Sequence, residues 1–383
     1  MTTTVNNEHK NIKVPNLRFP EFQGEWEVES IKDVADFMGG GTPSSSNESF
    51  WQGTIPWVSS SDIVENDIKN ISISRYITEE AIAHSATKLC PAPSILIVSR
   101  VGVGKIALSK KAICTSQDFC NLINIKVDPI FLTYCLSQIM KRKSMEVQGT
   151  SIKGITTSEI QKISINIPSL QEQKKIGKIL SLLDERIATQ NKIIEDLKML
   201  KSAISHILFS SKGAILLSEI ANVVMGQSPS SNAYNDQGLG MPLVQGNLDI
   251  SNGKTTPRLY TAEFNQTTEK GNIILTVRAP VGEVAKATQK VCLGRGVCAI
   301  IPHEENMSDF IYQYLTFYKF MWRRYEQGST FTSINGSDVR NILCPKVRNV
   351  SILTLLDRKI NIEERVVKQY QSQKQYMLYQ MFI

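Results

Sequence analysis

The chain has 383 residues, of which 42% are hydrophobic, so it is long enough to form two or three domains with substantial cores. Its 43 basic and 36 acidic residues give a formal charge of +7, a mild excess that is compatible with nucleic acid as a partner. No apolar run reaches the roughly 18 residues of a membrane helix, and the polar start MTTTVNNEHKNIK lacks the apolar stretch of a signal peptide. The composition argues against a membrane or secreted protein and predicts a cytoplasmic one.

The predicted elements are, in chain order, a polar flexible tail, a module, a long helix, a second module and a second long helix. Pro168 ends a strand-like run and closes the first module, and the segment that follows has helical periodicity without proline. At about 1.5 Å per residue, a helix over 171–209 would be a rod of about 55–60 Å. The predicted boundaries are 1–19, 20–168, 169–212, 213–345 and 346–383.

The two modules are copies of one another. Five blocks of the first module and its helix recur later in the same order, while the spacing between the copies drifts slowly. This pattern indicates duplication with changes in loop length. The block from Ile31 to Ser45 aligns with Leu217 to Ser231, IPWVSSSDI (55–63) with MPLVQGNLDI (241–250), VSRVGVGKIA (98–107) with TVRAPVGEVA (276–285), EVQGTSIKGITTSEIQKI (146–163) with YEQGSTFTSINGSDVRNI (325–342), and LLDERI (182–187) with LLDRKI (355–360).

The stretch RVGVGKIA (100–107) has glycines around a lysine, as a nucleotide-binding loop does. The further glycine and the hydroxyl residue that such a loop needs are missing, and the second copy has Glu283 in place of Lys105. The arginine recurs, as Arg100 and Arg278. We therefore predict a strand, a glycine-bearing turn and a second strand, with Arg100 and Lys105 directed at DNA phosphates rather than ATP.

Both long segments carry a narrow apolar stripe with the spacing of a coiled coil, interrupted at matching places by Gln190 and Lys201 and by Glu363 and Lys374. Such a stripe does not stabilise a single helix in water, so we predict that the two helices pair with each other. The alternative is that each helix packs on its own module. The predicted pairing residues are Leu183, Ile187, Ile194, Leu197, Ile204, Leu208, Leu356, Ile360, Val367, Tyr370, Met377 and Met381.

Acidic residues are scarce in residues 81–117 and 271–303, where Lys and Arg are frequent, so each module is predicted to present a basic face. A charged surface that contacts only solvent is the alternative reading. Serine, threonine and backbone N–H groups of the polar turns suit phosphates, while Gln, Asn and Arg suit base edges. The candidate DNA-binding residues are Thr42, Ser44, Ser45, Ser59, Ser60, Arg100, Lys105, Thr150, Ser151, Lys153, Ser228, Ser230, Gln245, Asn247, Arg278, Arg295, Ser329, Thr330 and Thr332.

The sequence offers neither a metal site nor a catalytic constellation. Cys114 and Cys120 recur as Cys292 and Cys298, and on one strand a six-residue spacing would place both thiols of a pair on the same side. No histidine accompanies them at ligand spacing, so buried free thiols are predicted. HEENM (303–307) lacks the second histidine of a zinc protease motif, and the motif that holds a flipped base in amino-methyltransferases is absent.

Along essentially its whole length the chain resembles the specificity subunit of type I restriction–modification systems of bacteria and archaea. The resemblance rests on NLRFPEFQGEWE (16–27), on MGGGTPSSS and MGQSPSS at the start of the modules, and on QGTSIKGIT with IPSLQEQKKIGKILSLLDERI (167–187). The segment CPKVRNVSILTLLDRKI (344–360) departs from the pattern, because it lacks the run seen as PSLQEQ.

The resemblance implies an α+β fold in which two duplicated α/β target recognition domains are separated by two long helices that pair as an antiparallel coiled coil. Each domain would read one half of a bipartite, asymmetric site on double-stranded DNA, and the helices would set the gap. Two modification subunits would dock on the helices and bring S-adenosylmethionine, while restriction subunits would use ATP and Mg²⁺. The chain itself would bind no cofactor and would be a non-catalytic subunit of a methyltransferase/endonuclease complex.

Two other functions stay open at this point. The chain could be a scaffold whose two modules bind proteins, with an incidental basic face. It could also be an NTPase or another phosphate enzyme built on the loop at 100–107. Salt-dependent binding of random DNA duplexes separates the first from a DNA reader, and protection of thermal stability by nucleotides tests the second.

Overall fold

The computed structural model describes residues 14–147, 154–210, 213–322, 333–347 and 349–382. The chain divides into two compact units, of which unit 1 comprises Met1–Gln190 with Val366–Ile383 and unit 2 comprises Asn191–Arg365. Both boundaries between the units fall inside long helices. Each unit therefore contains one sequence module together with a part of each helix.

Unit 1 contains short strands and helices before the first long helix. Its strands are β1 (Glu27–Ser30), β2 (Asp36–Gly39), β3 (Ile55–Val58), β4 (Arg75–Ile77), β5 (Leu89–Cys90), β6 (Ser94–Val98), β7 (Ile106–Ser109), β8 (Ile113–Thr115), β9 (Phe119–Ile123) and β10 (Ser164–Ile167). The helices that begin in it are α1 (Ile31–Val34), α2 (Glu79–Ala83), α3 (Pro129–Val147), α4 (Thr157–Gln161) and the long α5 (Leu170–Phe209).

Unit 2 follows the same plan with additional short strands. Its strands are β11 (Ala214–Leu216), β12 (Ala221–Met225), β13 (Tyr234–Asn235), β14 (Met241–Val244), β15 (Ile250–Ser251), β16 (Lys254–Thr255), β17 (Leu259–Thr261), β18 (Thr267–Thr268), β19 (Ile273–Thr276), β20 (Val284–Lys286), β21 (Val291–Leu293), β22 (Val297–Pro302) and β23 (Leu343–Pro345). The helices that begin in it are α6 (Leu217–Ile220), α7 (Ser308–Trp322), α8 (Gly336–Arg340) and the long α9 (Ser351–Met381).

The strand orders show that the sequence repeat is a repeat of the fold. Unit 1 has sheets in the orders β2-β9-β6-β7 and β4-β3-β8-β5, and unit 2 has β12-β22-β19-β20-β16-β15 and β13-β17-β14-β21-β18. The sheet β2-β9-β6-β7 of unit 1 corresponds strand by strand to β12-β22-β19-β20 of unit 2. In the same way, β4-β3-β8-β5 corresponds to β17-β14-β21-β18. A two-stranded antiparallel sheet completes each unit, β1 with β10 and β11 with β23. Unit 2 differs by the added edge strands β13, β15 and β16.

The central strands are continuous apolar runs because both of their faces are covered. All five residues of β6, SILIV, are buried. Ile95 and Ile97 join the core cluster that includes Phe131 of α3, while Leu96 and Val98 join a second cluster on the opposite face. A strand buried on both faces loses the polar alternation of a half-exposed one.

The predicted strand, turn and strand at residues 94–109 are confirmed. β6 and β7 pair antiparallel, and the turn between them contains Gly102 at φ 86° and Gly104 at φ 102°. The second copy pairs β19 with β20 around Gly282 at φ 91°. L-residues with side chains rarely adopt these backbone angles, which explains the glycines without any nucleotide.

The pairing of the two long helices is confirmed within each unit. In unit 2, Lys198 and Lys201 of α5 form ion pairs with Glu364 and Asp357 of α9, at N···O distances of 2.8 and 2.6 Å. Residue numbers rise along one helix as they fall along the other, so the pairing is antiparallel. All the predicted pairing residues, from Leu183 to Met381, are buried or half-buried.

The helices also pack on the modules. The apolar stripe therefore serves both predicted contacts, the pairing of the helices and the packing of each helix on a module. Leu180 and Leu183 of α5 lie in one core cluster with Phe131 of α3 and with Met377 and Met381 of α9. The same occurs in unit 2, where Phe209 lies in a cluster with residues of α7 and α9. Among the helices of the described residues, none has both the length and the apolar composition that crossing a bilayer demands.

The described part of the N-terminal segment, which the sequence assigns to a flexible tail, is attached to unit 1. The Arg18 guanidinium forms an ion pair of 2.8 Å with the buried Glu172 at the start of α5. The backbone N–H of Leu17 donates to the carbonyl of Gln380 near the end of α9. These contacts hold residues 17 and 18 against both long helices.

Two adjacent leucines of α5 provide a test of the helix packing. Leu183 is 6% exposed and Leu182 is 48% exposed. We expect Leu183→Ala to lower the free energy of unfolding by about 2–4 kcal/mol, because it leaves a cavity between α3, α5 and α9. Leu182→Ala should change it by less than about 0.5 kcal/mol. Denaturant unfolding of both variants checks this, and equal effects would contradict the observed helix orientation.

Candidate nucleic-acid interface

Four loops of unit 1 meet at one end of its sheets, and backbone hydrogen bonds hold them together. We call this set, residues 40–46, 59–62, 99–105 and 115–118, the loop cluster of unit 1. The N–H of Gly41 donates to the carbonyl of Thr115 at 2.8 Å, and the N–H of Ser116 donates to that of Val58 at 2.9 Å. The N–H of Ser99 donates to the carbonyl of Asp118 at 2.8 Å.

Unit 2 has a matching loop cluster, made of residues 226–230, 245–249, 277–283 and 293–296. Here Gln227 donates to Leu293, Gly294 to Val244, and Val277 to Gly296, at 2.8–2.9 Å. Each bond joins positions equivalent to those in unit 1. The duplication thus preserves the backbone frame that holds the loops, while most of their side chains differ.

The frame brings several predicted residues of unit 1 together. The Lys105 ammonium donates to the carbonyl of Ser60 at 3.1 Å, which joins the turn after β6 to the turn after β3. Arg100 is exposed on the same turn as Lys105. The Thr42 hydroxyl donates to the side chain of Gln117, a residue that the sequence reading did not single out. Ser44 and Ser45 are exposed on the first loop.

In unit 2 the frame joins Ser228, Gln245 and Arg295. The backbone N–H of Arg295 donates to the Ser228 hydroxyl at 3.1 Å. Gln245 lies directly against Gly294, where an added Cβ would come within 3.0 Å of the glutamine side chain. Asn247 is half-buried on the same turn as Gln245, and the Arg295 side chain is exposed.

The remaining candidates of unit 2 lie on the outer parts of its loops. Ser230 is exposed, and Arg278 is exposed at the start of the turn between β19 and β20, where its backbone pairs with that of Ser333. The candidates Thr150, Ser151, Lys153, Ser329, Thr330 and Thr332 lie outside the described residues. Their neighbours do reach the clusters, since Ile155 and Ile334 donate to the carbonyls of Ser99 and Val277.

A buried aspartate supports the second loop of each cluster, and the sequence reading missed both. Asp62 accepts hydrogen bonds from the backbone and hydroxyl of Ser59 and forms an ion pair with Arg75. Asp249 accepts one from the backbone of Gln245 at 2.8 Å and forms an ion pair with Arg258 at 3.1 Å. Each carboxylate therefore fixes a short 3₁₀ turn, Ser60–Asp62 or Asn247–Asp249.

The aspartates could have been found from the repeat itself. They align within the blocks IPWVSSSDI and MPLVQGNLDI, where Asp precedes Ile in both copies. A shared acid inside an otherwise uncharged repeated block is a signal for a structural carboxylate. Their arginine partners are harder to find, because Arg75 and Arg258 lie on or beside neighbouring strands.

The sequence suggested that the acid-poor segment of each module forms one continuous basic face, but the described residues do not show such a face. Lys105 precedes β7 and Lys110 follows it, so they lie at opposite ends of this strand, about 17 Å apart at the usual rise per residue. In unit 2, Lys286 and Lys290 form ion pairs with Asp309 and Glu269. Lysines that are close in the sequence are thus separated by a strand or paired with acidic residues from distant parts of the chain.

Three exposed arginines stay available for an anionic ligand. Arg100, Arg278 and Arg295 are exposed, and within the described residues their side chains form no ion pair. All three lie on the loop clusters. Glu283, which stands in the place of Lys105, forms an ion pair with Lys319 of α7. Unit 2 therefore presents Arg278 at the position of Arg100, and its second exposed arginine, Arg295, stands at the position of Gln117 rather than at that of Lys105.

The thiols are buried and their pKa values are raised. Their arrangement differs from the prediction that both thiols of a pair lie on the same side of one strand. Cys114 and Cys120 lie on β8 and β9, in two different sheets, so they do not face one side of a single strand. Burial raises the pKa of the Cys114 and Cys298 thiols to about 12. Within the described residues, no group of three or more His, Cys, Asp or Glu side chains is arranged to hold a metal ion.

Comparisons with known proteins agree with this architecture. A family model described as the type I restriction modification DNA specificity domain matches residues 23–199 and 214–369. A specificity subunit assigned to the type I restriction enzyme MjaX of Methanocaldococcus jannaschii is 27% identical over 368 residues, or 88% of this chain and 86% of that protein. The EcoR124I/EcoR124II specificity subunit of Escherichia coli is 34% identical over 178 residues, 44% of this chain and 43% of that protein.

Solved structures share the fold. The S subunit of a type I restriction–modification system from M. genitalium matches with a TM-score of 0.65 at 20% identity, over 97% of this chain and 99% of that one. A chain from a study of complex assembly in a type I system gives a TM-score of 0.59 at 21% identity, over 92% and 96%. Since the family domain occurs twice and spans most of the sequence, the chain belongs to the family of type I restriction–modification DNA specificity proteins.

Proposed function

We propose that this chain reads DNA for a type I restriction–modification complex, with each loop cluster binding one half of a bipartite, asymmetric site. The observation that carries the proposal is the duplicated frame, in which equivalent backbone hydrogen bonds hold four loops whose side chains differ between the copies. A shared frame gives both units the same way of approaching a duplex. Different side chains give them different bases to read.

The charges on the clusters suit phosphates and base edges. Arg100 and Lys105 of unit 1 are proposed to contact phosphates, together with the hydroxyls of the first and second loops. Lys105 donates one hydrogen bond to Ser60, and its ammonium has two further protons to offer. In unit 2, Gln245 and Arg295 are the proposed base readers, because Gln can bond adenine and Arg guanine through two hydrogen bonds each.

The paired helices are proposed to set the gap between the half-sites and to receive two modification subunits. Their seams are covered, whereas outer positions of both helices keep large apolar side chains exposed, including Met199 and Ile207 of α5 and Leu355 and Tyr379 of α9. Exposed apolar residues in such number on helices are typical of protein contacts.

The complex is proposed to divide the chemistry among its subunits. The modification subunits would bring S-adenosylmethionine, and the restriction subunits would bring ATP and Mg²⁺. This chain would act in the cytoplasm and supply recognition alone. The loop at 100–107 supports this division, since Lys105 contacts a backbone carbonyl and the glycines serve the turn.

The phosphate role of Arg100 and Lys105 has a defined signature. In a complex with the modification subunits, Arg100→Ala with Lys105→Ala should weaken binding to all duplexes and reduce the slope of log affinity against log salt by about two. Lys32→Ala with Lys270→Ala, which removes one exposed lysine from each module outside the loop clusters, is the matched control. Titrations at several salt concentrations measure the slope, and an unchanged slope would remove both residues from the interface.

The gap should follow the length of the paired helices. Seven residues inserted after Gln190 together with seven after Arg365 would lengthen both helices by about 10 Å while keeping the pairs in each unit. Mapping methylated adenines in a host that carries the complex should then show a longer gap between unchanged half-sites. Altered bases at a constant gap would contradict this role of the helices.

A further inference from the structure

A three-part polar cluster joins the module of unit 1 to both long helices. The Lys374 ammonium of α9 lies 2.5 Å from one carboxylate oxygen of Asp184 on α5. The Tyr134 hydroxyl of α3 donates to the other oxygen at 2.5 Å. The side chains of Lys374 and Asp184 are only 12% and 13% exposed. Lys374 also lies over the Tyr134 ring, at 5.6 Å from its centroid.

Unit 2 repeats this arrangement with the helices exchanged. The Lys201 ammonium of α5 lies 2.6 Å from one carboxylate oxygen of Asp357 on α9. The Gln313 amide of α7 donates to the other oxygen at 2.6 Å. Asp184 and Asp357 are the aspartates of the repeated blocks LLDERI and LLDRKI, and α3 and α7 are equivalent helices. One aspartate in each unit thus binds a lysine from the opposite helix and a polar side chain from its own module.

These clusters discriminate against other registers of the same two helices. The apolar stripe repeats every seven residues, so a slip of one repeat would still pair apolar residues. Such a slip would place Asp184 opposite Val367 or Met381, and Asp357 opposite Ile194 or Leu208. In either direction both carboxylates would lose their lysines at a poorly hydrated seam, which is costly.

The contacts of the module with the helices fix the position of the module, and with it the loop cluster, relative to the helix register. Tyr134 is buried, and this burial together with the nearby Asp184 raises the pKa of its hydroxyl. The hydroxyl therefore keeps its proton and can donate the hydrogen bond to Asp184. A second contact supports the same connection, because Lys69 of the module donates to the Ser181 carbonyl and the Glu185 carboxylate of α5. The module is thus attached to the helix surface by directional bonds as well as by apolar packing.

We propose that the Asp184–Lys374–Tyr134 and Asp357–Lys201–Gln313 clusters are positioning devices that select one register of the paired helices and fix each module to it. The gap between the two half-sites would then depend on these clusters as well as on helix length. This inference rests on the proposed function, because a gap has meaning only for a chain that reads two half-sites.

The test begins with charge exchange in the full chain. Asp184→Lys and Lys374→Asp, made singly, should each lower the melting temperature by roughly 5–15 °C, because each leaves two like charges facing one another at a half-buried seam. The double variant restores opposite charges and should recover at least about half of that loss. The controls are Glu27→Lys and Lys32→Asp, which make similar charge changes at exposed positions of the module, outside its loop cluster and outside both long helices.

The functional readout is the map of methylated adenines in a host that carries each variant with its partner subunits. The wild-type chain should methylate sites with one gap. The single variants should lose methylation or spread it to sites whose gap differs by a base pair or more, with the half-site bases unchanged. The charge-exchanged variant should return to the wild-type gap, and the controls should keep it.

The outcomes distinguish a failure of the proposed function from a failure of the positioning role. If the wild-type complex methylated no bipartite site, the proposed function would fail first. If it did, two results would overturn the positioning role: single variants that are less stable yet keep one gap, or an exchanged pair that recovers neither stability nor gap. An exchanged variant that cannot fold belongs with the second result, since opposite charges at the same positions should support folding.

Discussion

The constraint on which the rest of the structure depends is the width of the apolar stripe on the two long helices. A stripe this narrow covers too little surface to stabilise either helix by itself, so each needs a partner. In both units the missing cover comes from the other helix together with the module. The helix α5 from the middle of the sequence and the helix α9 from its last part must therefore fold together. Ion pairs along the seam then distinguish one register from others of equal apolar fit.

In the loop clusters, one set of groups holds the loops in place and a different set of side chains is available for recognition. Backbone hydrogen bonds between equivalent positions hold the loops in both units, and a buried aspartate fixes the second loop of each. Because backbone groups carry no sequence identity, this support survives when the side chains of the loops change. Lys105, Gln245 and Arg295 can therefore differ from their counterparts in the other copy at little cost to the fold. A protein that reads two unlike half-sites needs such a division between frame and contact.

The sequence predicted the features that local pattern or repetition encodes. The five repeated blocks indicated the duplicated fold, and the seven-residue periodicity selected twelve helix residues that are all buried or half-buried. It did not select Ile176, Leu180 and Leu378, which are also buried in the core of unit 1. Features that join distant parts of the chain were missed. The partners Arg75 and Arg258 depend on strand pairing, and the separation of Cys114 from Cys120 depends on a change of sheet between β8 and β9. The expected basic face is interrupted in unit 2 for the same reason, since pairs such as Lys286 with Asp309 form only after folding.

The seven cysteines, all within the described residues, are buried. A thiol placed at an exposed loop position would therefore react with little background, and no native cysteine would need to be removed from the core. Val101 and Leu248, which are 70% and 66% exposed, offer such positions, one on each loop cluster. A pair of dyes or spin labels introduced there would report the distance between the two reading surfaces in solution. The same pair could follow that distance as DNA and partner subunits bind.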